Sequence, residues 1–200
     1  MAISLQKGQK VNLQKRASAG LGEIHVNLNW NSRPVKQGFF SSLLGNQGID
    51  LDLGCLFELK DGRKGAVQAL GNSFGSLDNP PYIALDGDDR TGAAAAGENL
   101  RINGDQIKNI KRILVYTFIY QGVANWQQAD ATVTIQYPGA EDLIVKMDEY
   151  NSSNKMCPLA LLENVNDETF SVEKIVRFYS GHENMDRAFQ WGLNWKPGRK

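Results

Sequence analysis

Two acidic segments carry the chemistry most open to reading in this chain: Ile49-Asp50-Leu51-Asp52-Leu53 and, about thirty-five residues later, Leu85-Asp86-Gly87-Asp88-Asp89-Arg90-Thr91-Gly92. Carboxylates at i and i+2 of a strand lie about 7 Å apart on one face, where their charges repel unless something screens them. A divalent cation is one remedy. Calcium takes six to eight oxygen ligands, and a loop rich in Asp, Thr and Gly supplies them, with Glu98 beyond Ala93-Ala94-Ala95-Ala96 as a further carboxylate. The loop is not an EF-hand: with Asp86 as position one, Thr91 falls where Gly is required and Gly97 where the bidentate Glu is required. The competing reading makes Asp50 and Asp52 a solvated strand face and Asp88-Asp89 an ordinary turn partly neutralised by Arg90.

The elements that must position these residues read mainly as strands. From Ile49 to Lys60 the odd positions are apolar (Ile49, Leu51, Leu53, Cys55, Phe57, Leu59), so they face a core and place Asp50 and Asp52 together on the outer face. Asp61-Gly62 then suits a tight hairpin turn into Lys64 to Leu70. Further strands are expected at Lys10 to Leu13, Glu23 to Trp30, Arg112 to Tyr120, Ala131 to Tyr137, Asp142 to Met147 and Phe170 to Tyr179. Arg112 to Tyr120 is apolar on both faces, which places it centrally. Helix signals are few. Ser180-Gly181-His182-Glu183 fits a capping box with Ser180 as N-cap, followed by Met185, Ala188 and Phe189 on one face and a stop at Gly192. A helical turn is also expected at Asp105 to Asn109. Residues 34–48, with Phe39, Phe40 and Leu44, read as a long loop. The expected fold is a two-layer β-sandwich with one or two short helices, in one domain spanning residues 1–200.

Composition narrows the function classes. The 22 basic residues balance the 22 acidic ones, so no overall field points to nucleic acid or an anionic membrane. No apolar run reads as a signal peptide or transmembrane segment, and the expected location is cytoplasmic. Cys55 and Cys157 sit in apolar sequence and read as two buried thiols rather than a bridge. His25 and His182 read as structural, and Trp126, Trp191 and Trp195 as core closure. No nucleophile, base and orienter are brought together by local spacing, so no enzyme is expected.

The acidic motifs also belong to a wider pattern. Asp50-Leu51-Asp52-Leu53, Gly87-Asp88-Asp89-Arg90-Thr91-Gly92 and Glu98-Asn99-Leu100, together with the opening Leu5-Gln6-Lys7-Gly8-Gln9-Lys10-Val11-Asn12-Leu13 and the strand Val26-Asn27-Leu28-Asn29-Trp30, resemble the TerD-domain family of bacterial tellurite-resistance and stress-response proteins. The tail from His182 to Gly192 with Trp195 is most similar to the TerA branch. The resemblance implies a β-sandwich that binds calcium between acidic loops and works without catalysis. It also implies a cytoplasmic protein whose partners are other proteins of a membrane-associated stress-response assembly, peripheral at the inner membrane face. By position it assigns Asp50, Asp52, Asp88, Asp89 and Glu98 as metal ligands. Three departures thin the charge: Gly48 where the family usually has Asp, Asn31 where it often has Asp, and Ala93 to Ala96 in place of an acidic run. Affinity in such sites rises with ligand charge, so one calcium site is expected to survive. The alternative is a metal-free scaffold paralogue that acts through assembly.

Overall fold

β-Branched and aromatic residues at alternate positions, punctuated by Gly, Asn and Asp at turns, give a chain built almost entirely of strands. The computed structural model describes residues 2–14, 20–31, 49–86, 97–121, 125–150 and 153–198. The strands are β1 (Ala2–Ser4), β2 (Lys10–Asn12), β3 (Glu23–Asn29), β4 (Asp50–Leu59), β5 (Lys64–Gln68), β6 (Gly75–Ser76), β7 (Ile83–Leu85), β8 (Glu98–Asn103), β9 (Ile110–Gln121), β10 (Thr132–Gln136), β11 (Asp142–Lys146), β12 (Met156–Val165) and β13 (Thr169–Lys174). Two short helices accompany them, α1 (Trp126–Ala129) and α2 (His182–Phe189), with a 3-10 turn at Gly104–Asn109.

These strands form two sheets, as the sandwich reading expects. One runs β1-β11-β10-β3-β8-β7-β6 and the other β2-β13-β12-β9-β4-β5. The first strand pairs in parallel with β11 and the second antiparallel with β13, so the start of the chain closes both sheets against strands from its later part. Edge strands β1 and β6 are only three and two residues long, too short to template pairing with another chain.

The inter-sheet core takes the odd side chains of β4, from Leu51 to Leu59, against Val26, Leu28, Leu100 and Ile102 of the facing sheet. As its two-sided apolar pattern requires, β9 is central, paired with β4 on one side and β12 on the other, and buried on both faces. The six-stranded sheet therefore has a second core on its outer face: Leu56, Leu114, Tyr116, Phe118 and Met156 lie beneath Met185 of α2 and Trp191.

This outer layer is held by a few polar anchors. Asp186, nearly buried on α2, accepts hydrogen bonds from Gly192 N (2.7 Å), Leu193 N (2.9 Å) and Trp195 Nε1 (3.0 Å), fixing the chain after the helix. From the sheet, Trp191 Nε1 donates to the Phe57 carbonyl at 3.0 Å, and the Arg112 guanidinium lies 3.8 Å from the Trp191 ring. Arg112 also reaches the carbonyls of Phe189 and Gln190 and the buried Glu58 carboxylate. Burial opposes ionisation of Glu58, but hydrogen bonds from Lys111 and Arg112 outweigh it and hold its carboxyl below the usual range.

Several expectations are corrected in detail. Helix α2 starts one residue later than its capping signal suggests: Gly181 is the N-cap, without a side-chain hydrogen bond, and Ser180 instead accepts from Asn184 Nδ2. Met185 is buried but Ala188 is exposed, and the buried position beside Met185 is taken by Asp186. The left-handed residue that ends the helix is Gln190, ahead of Gly192. The strand expected from Phe170 to Tyr179 stops at Lys174, and Val176 adopts a positive φ. Residues 34–48, with Phe39, Phe40 and Leu44, lie outside the described residues.

Replacing Asp186 with Ala strips three donors of one buried acceptor and is expected to cost about 2–4 kcal/mol by the usual penalties for charged hydrogen bonds. Urea denaturation of the two proteins checks this; a loss under 1 kcal/mol would mean that the tail is held by packing alone.

Candidate functional site

Three strand ends meet where the acidic motif lies. Only Gly54 to Glu58 of β4 pair with β5, so Asp50 to Leu53 run on past the end of β5. A backbone edge left there inside the protein must find another acceptor. Glu98, the first residue of β8 in the opposite sheet, supplies it: its Oε2 accepts from Leu53 N at 2.5 Å. Gly97 makes the turn into β8 with φ +65°, and a Cβ there would stand 2.1 Å from the Leu28 carbonyl, so only glycine permits this approach. Glu98 then pairs with Leu28 and points inward with Leu100 and Ile102. At the end of β3, Trp30 Nε1 donates to the Ile49 carbonyl at 3.0 Å and ties that strand to the start of β4.

The site residues expected from the sequence are thus partly placed. Asp52 and Glu98 are buried at 0% and 2% exposure, on neighbouring stretches of facing sheets, and Asp50 is half-buried at the start of β4, beside a register irregularity. The structure overturns the solvated strand face: Asp52 does lie on the outer face of its strand, with Gly54 and Leu56, but that face is covered. Asp88 and Asp89 lie outside the described residues. Among the described residues, no three Asp, Glu, His or Cys side chains converge closely enough to hold a metal ion.

Amides line the face of β3 and β8 opposite to the one from which Glu98 projects. Asn27 Nδ2 donates to Asn99 Oδ1 at 2.8 Å across the β3–β8 ladder, and Asn29 Nδ2 donates to Asn27. The signal was present in Val26-Asn27-Leu28-Asn29-Trp30, where amides alternate with core residues. A second group that sequence reading missed is Thr117, wholly buried, inward-facing and paired with Leu53; its hydroxyl has no hydrogen-bond partner among the described residues. Nothing in a run of apolar residues distinguishes it.

The other candidate groups are structural. Both cysteines are free and buried; burial pushes the Cys55 thiol up to about 12 and raises Cys157 as well, which suppresses the thiolate that redox chemistry or metal ligation needs. Trp126 and Trp191 are each 1% exposed and close the core as expected. His25 sits on an exposed face with Nε2 2.8 Å from Glu23 Oε1.

What this arrangement offers is a set of hard oxygen donors, two of them carboxylates withdrawn from water, at the junction of β3, β4 and β8. Residues 1–138 match the TerD domain, and the chain belongs to that family, one of tellurium-resistance and stress-response proteins. Over 99% of its length the chain is 43% identical to the tellurium resistance protein TerA of Alcaligenes sp, of which it covers 58%. It is 33% identical to the stress response protein SCP2 of Bacillus subtilis (strain 168), over 64% of this chain and 65% of that one. The chain thus spans about three fifths of the length of these relatives. A solved homologue of the telluride resistance protein TerD from Streptomyces coelicolor A3(2) shares the fold, with a TM-score of 0.55 over 84% of this chain and 95% of that one at 16% identity.

Two substitutions probe the junction. Glu98→Ala leaves the Leu53 N–H buried without an acceptor and is expected to cost about 1–3 kcal/mol, whereas Thr117→Val removes a lone buried hydroxyl at constant shape and is expected to stabilise by about 1 kcal/mol. Chemical denaturation of both variants reads the opposite signs; a destabilised Thr117→Val would show that the hydroxyl has a partner after all.

Proposed function

We propose that this chain is a non-enzymatic calcium-binding interaction module of a tellurium-resistance and stress-response system, folded as one domain over residues 1–200. The observation that carries this reading is the burial of Asp52 and Glu98 at one strand junction. Two carboxylates out of water are costly to keep ionised without a compensating cation or donors. Asp50, Asp52 and Glu98 would hold the ion, with Asp88 and Asp89 contributing by their place in the family motif. The donor set suits calcium, since all the proposed ligands are oxygen. Bound calcium would supply charge compensation and link the two sheets. Asp52 and Glu98 are fixed by β4 and β8, so ion binding would act on the ends of the loops joining these strands. There the module would present a surface to protein partners, in the cytoplasm and at the inner membrane face through those partners.

A specific observation favours the second reading, a metal-free scaffold. Glu98 spends one oxygen on Leu53 N, and among the described residues no three carboxylates converge closely enough to hold a metal ion by themselves.

Calcium at a hundred times its dissociation constant adds about 2.7 kcal/mol to the folded state by mass action, which raises the melting temperature of a protein this size by about 5 °C or more. Asp52→Asn is expected to abolish that rise. Without calcium it should leave the melting point unchanged or higher, since a buried charge is removed. Thermal unfolding with millimolar calcium and after chelation checks both; an identical melting point under the two conditions selects the metal-free scaffold.

A further inference from the structure

On the far side of Tyr116 from the inter-sheet core lies a cleft of about 490 Å³, bounded by the end of β5, the start of α2 and the chain from Trp195 to Gly198. The volume is in the range of small-molecule sites. Its floor is a fixed polar relay. Gln68, at 7% exposure, has its Oε1 occupied twice, by the Tyr116 hydroxyl at 2.6 Å and by His182 Nε2 at 2.9 Å. The Gln68 amide nitrogen makes no hydrogen bond among the described residues and, not being sealed from solvent, is a donor open to the cleft that Gln68 lines. Burial lowers the His182 pKa to about 4, so the ring is neutral near pH 7 and donates from Nε2 to Gln68.

The rim adds donors of a second kind. Residues 180–184, the cap and first three residues of α2 with Ser180 before them, line the cleft, and this helix has no side-chain cap at its N-terminus, so its first N–H groups remain available. The helix dipole there favours negative charge. Lys196 stands on the same lining. The ring of Trp195, 4.7 Å from that of His182, forms the apolar wall, and its Nε1 is held by Asp186, so the wall is fixed. The one opposing charge is Glu183, exposed at the rim.

We propose that this cleft binds a carboxylate attached to an apolar group, with the carboxylate taken by the Gln68 amide and the first turn of α2 and the apolar part laid against Trp195. Donors converging on the cleft suit an acceptor-rich anionic head, and the aromatic wall suits a hydrocarbon neighbour to it. A free organic acid and the C-terminal carboxylate of a polypeptide share this chemistry. The site is separate from the acidic junction and does not depend on calcium.

The test is titration of the intact protein with phenylacetate, with phenylacetamide as its uncharged isostere. A tetrapeptide ending in phenylalanine serves as either free acid or C-terminal amide, and the His182 ring resonances report occupancy. Phenylacetate is expected to saturate near 1 mM, as befits about ten non-hydrogen atoms, and to bind about tenfold more tightly than phenylacetamide. Gln68→Leu and Lys196→Gln should weaken it several-fold. Glu183→Gln, an exposed change that leaves the fold intact, should tighten it. Peptide acid binding more tightly than phenylacetate would make a polypeptide C-terminus the ligand, and the reverse a small acid. Equal binding of acid and amide, no response to Glu183→Gln, or no saturable shift with any of the four probes would overturn the proposal.

Discussion

Burial of the β4–β9 ladder on both faces is the constraint from which the rest follows. One face is required by the sandwich; the other exists because Leu56, Leu114, Tyr116, Phe118 and Met156 point away from the facing sheet and need cover. A helix of eight residues and the turn after it provide that cover. At about 25 cal/mol per Å² of apolar surface the outer core is a large favourable term. Its cover nevertheless has to be aligned by polar contacts, which Asp186 and Arg112 make. Gly54 belongs to the same solution: a Cβ there would come within 2.9 Å of the Tyr116 ring, so its absence lets that ring cross β4.

Double burial also explains why the acidic junction is unusual. On a half-exposed sheet Asp52 would be a solvated outer residue of no consequence. Because the outer face is covered, the same position is taken out of water, and its charge reaches Tyr116, whose hydroxyl burial pushes well above its ordinary value, with Cys55 and Asp52 pushing the same way. Glu98 answers a different demand, the backbone edge that β5 leaves uncovered. The two carboxylates are buried by unrelated structural requirements, one of face and one of edge.

Much of this was legible in the chain. Period-two patterns located most of the longer strands, and the two-sided apolar run located the centre of a sheet. β12 escaped because Pro158 breaks its pattern; the structure accommodates it at a register shift between Pro158 and Ala160, where a missing N–H costs least. The short strands β1, β6 and β7 carry too few residues to show a period. Asp50, Asp52 and Glu98 were found by type and family motif, but their burial was not: that of Asp52 follows from cover on the outer face of β4, and that of Glu98 from its inward place on β8. Gln68 gave no signal and His182 read only as a structural histidine of the capping turn: their relation lies in a hydrogen bond between residues 114 apart.

The boundary of the family match sharpens the point. It ends at residue 138, in the turn after β10, yet β11, β12 and β13 complete both sheets, and α2 covers the outer core. The acidic junction is built within the matched span, whereas α2 and the residues from Trp195 onward lie beyond it. The later segment is therefore part of the fold's own closure rather than an appendage. Tyr116 joins the two regions physically, with Asp52 acting on one side of its ring and Gln68, through its hydroxyl, leading to His182 on the other. A change of charge at the junction alters the field on that phenol, and the phenol is one of the two donors that, among the described residues, hold the Gln68 oxygen and fix the relay beneath the cleft.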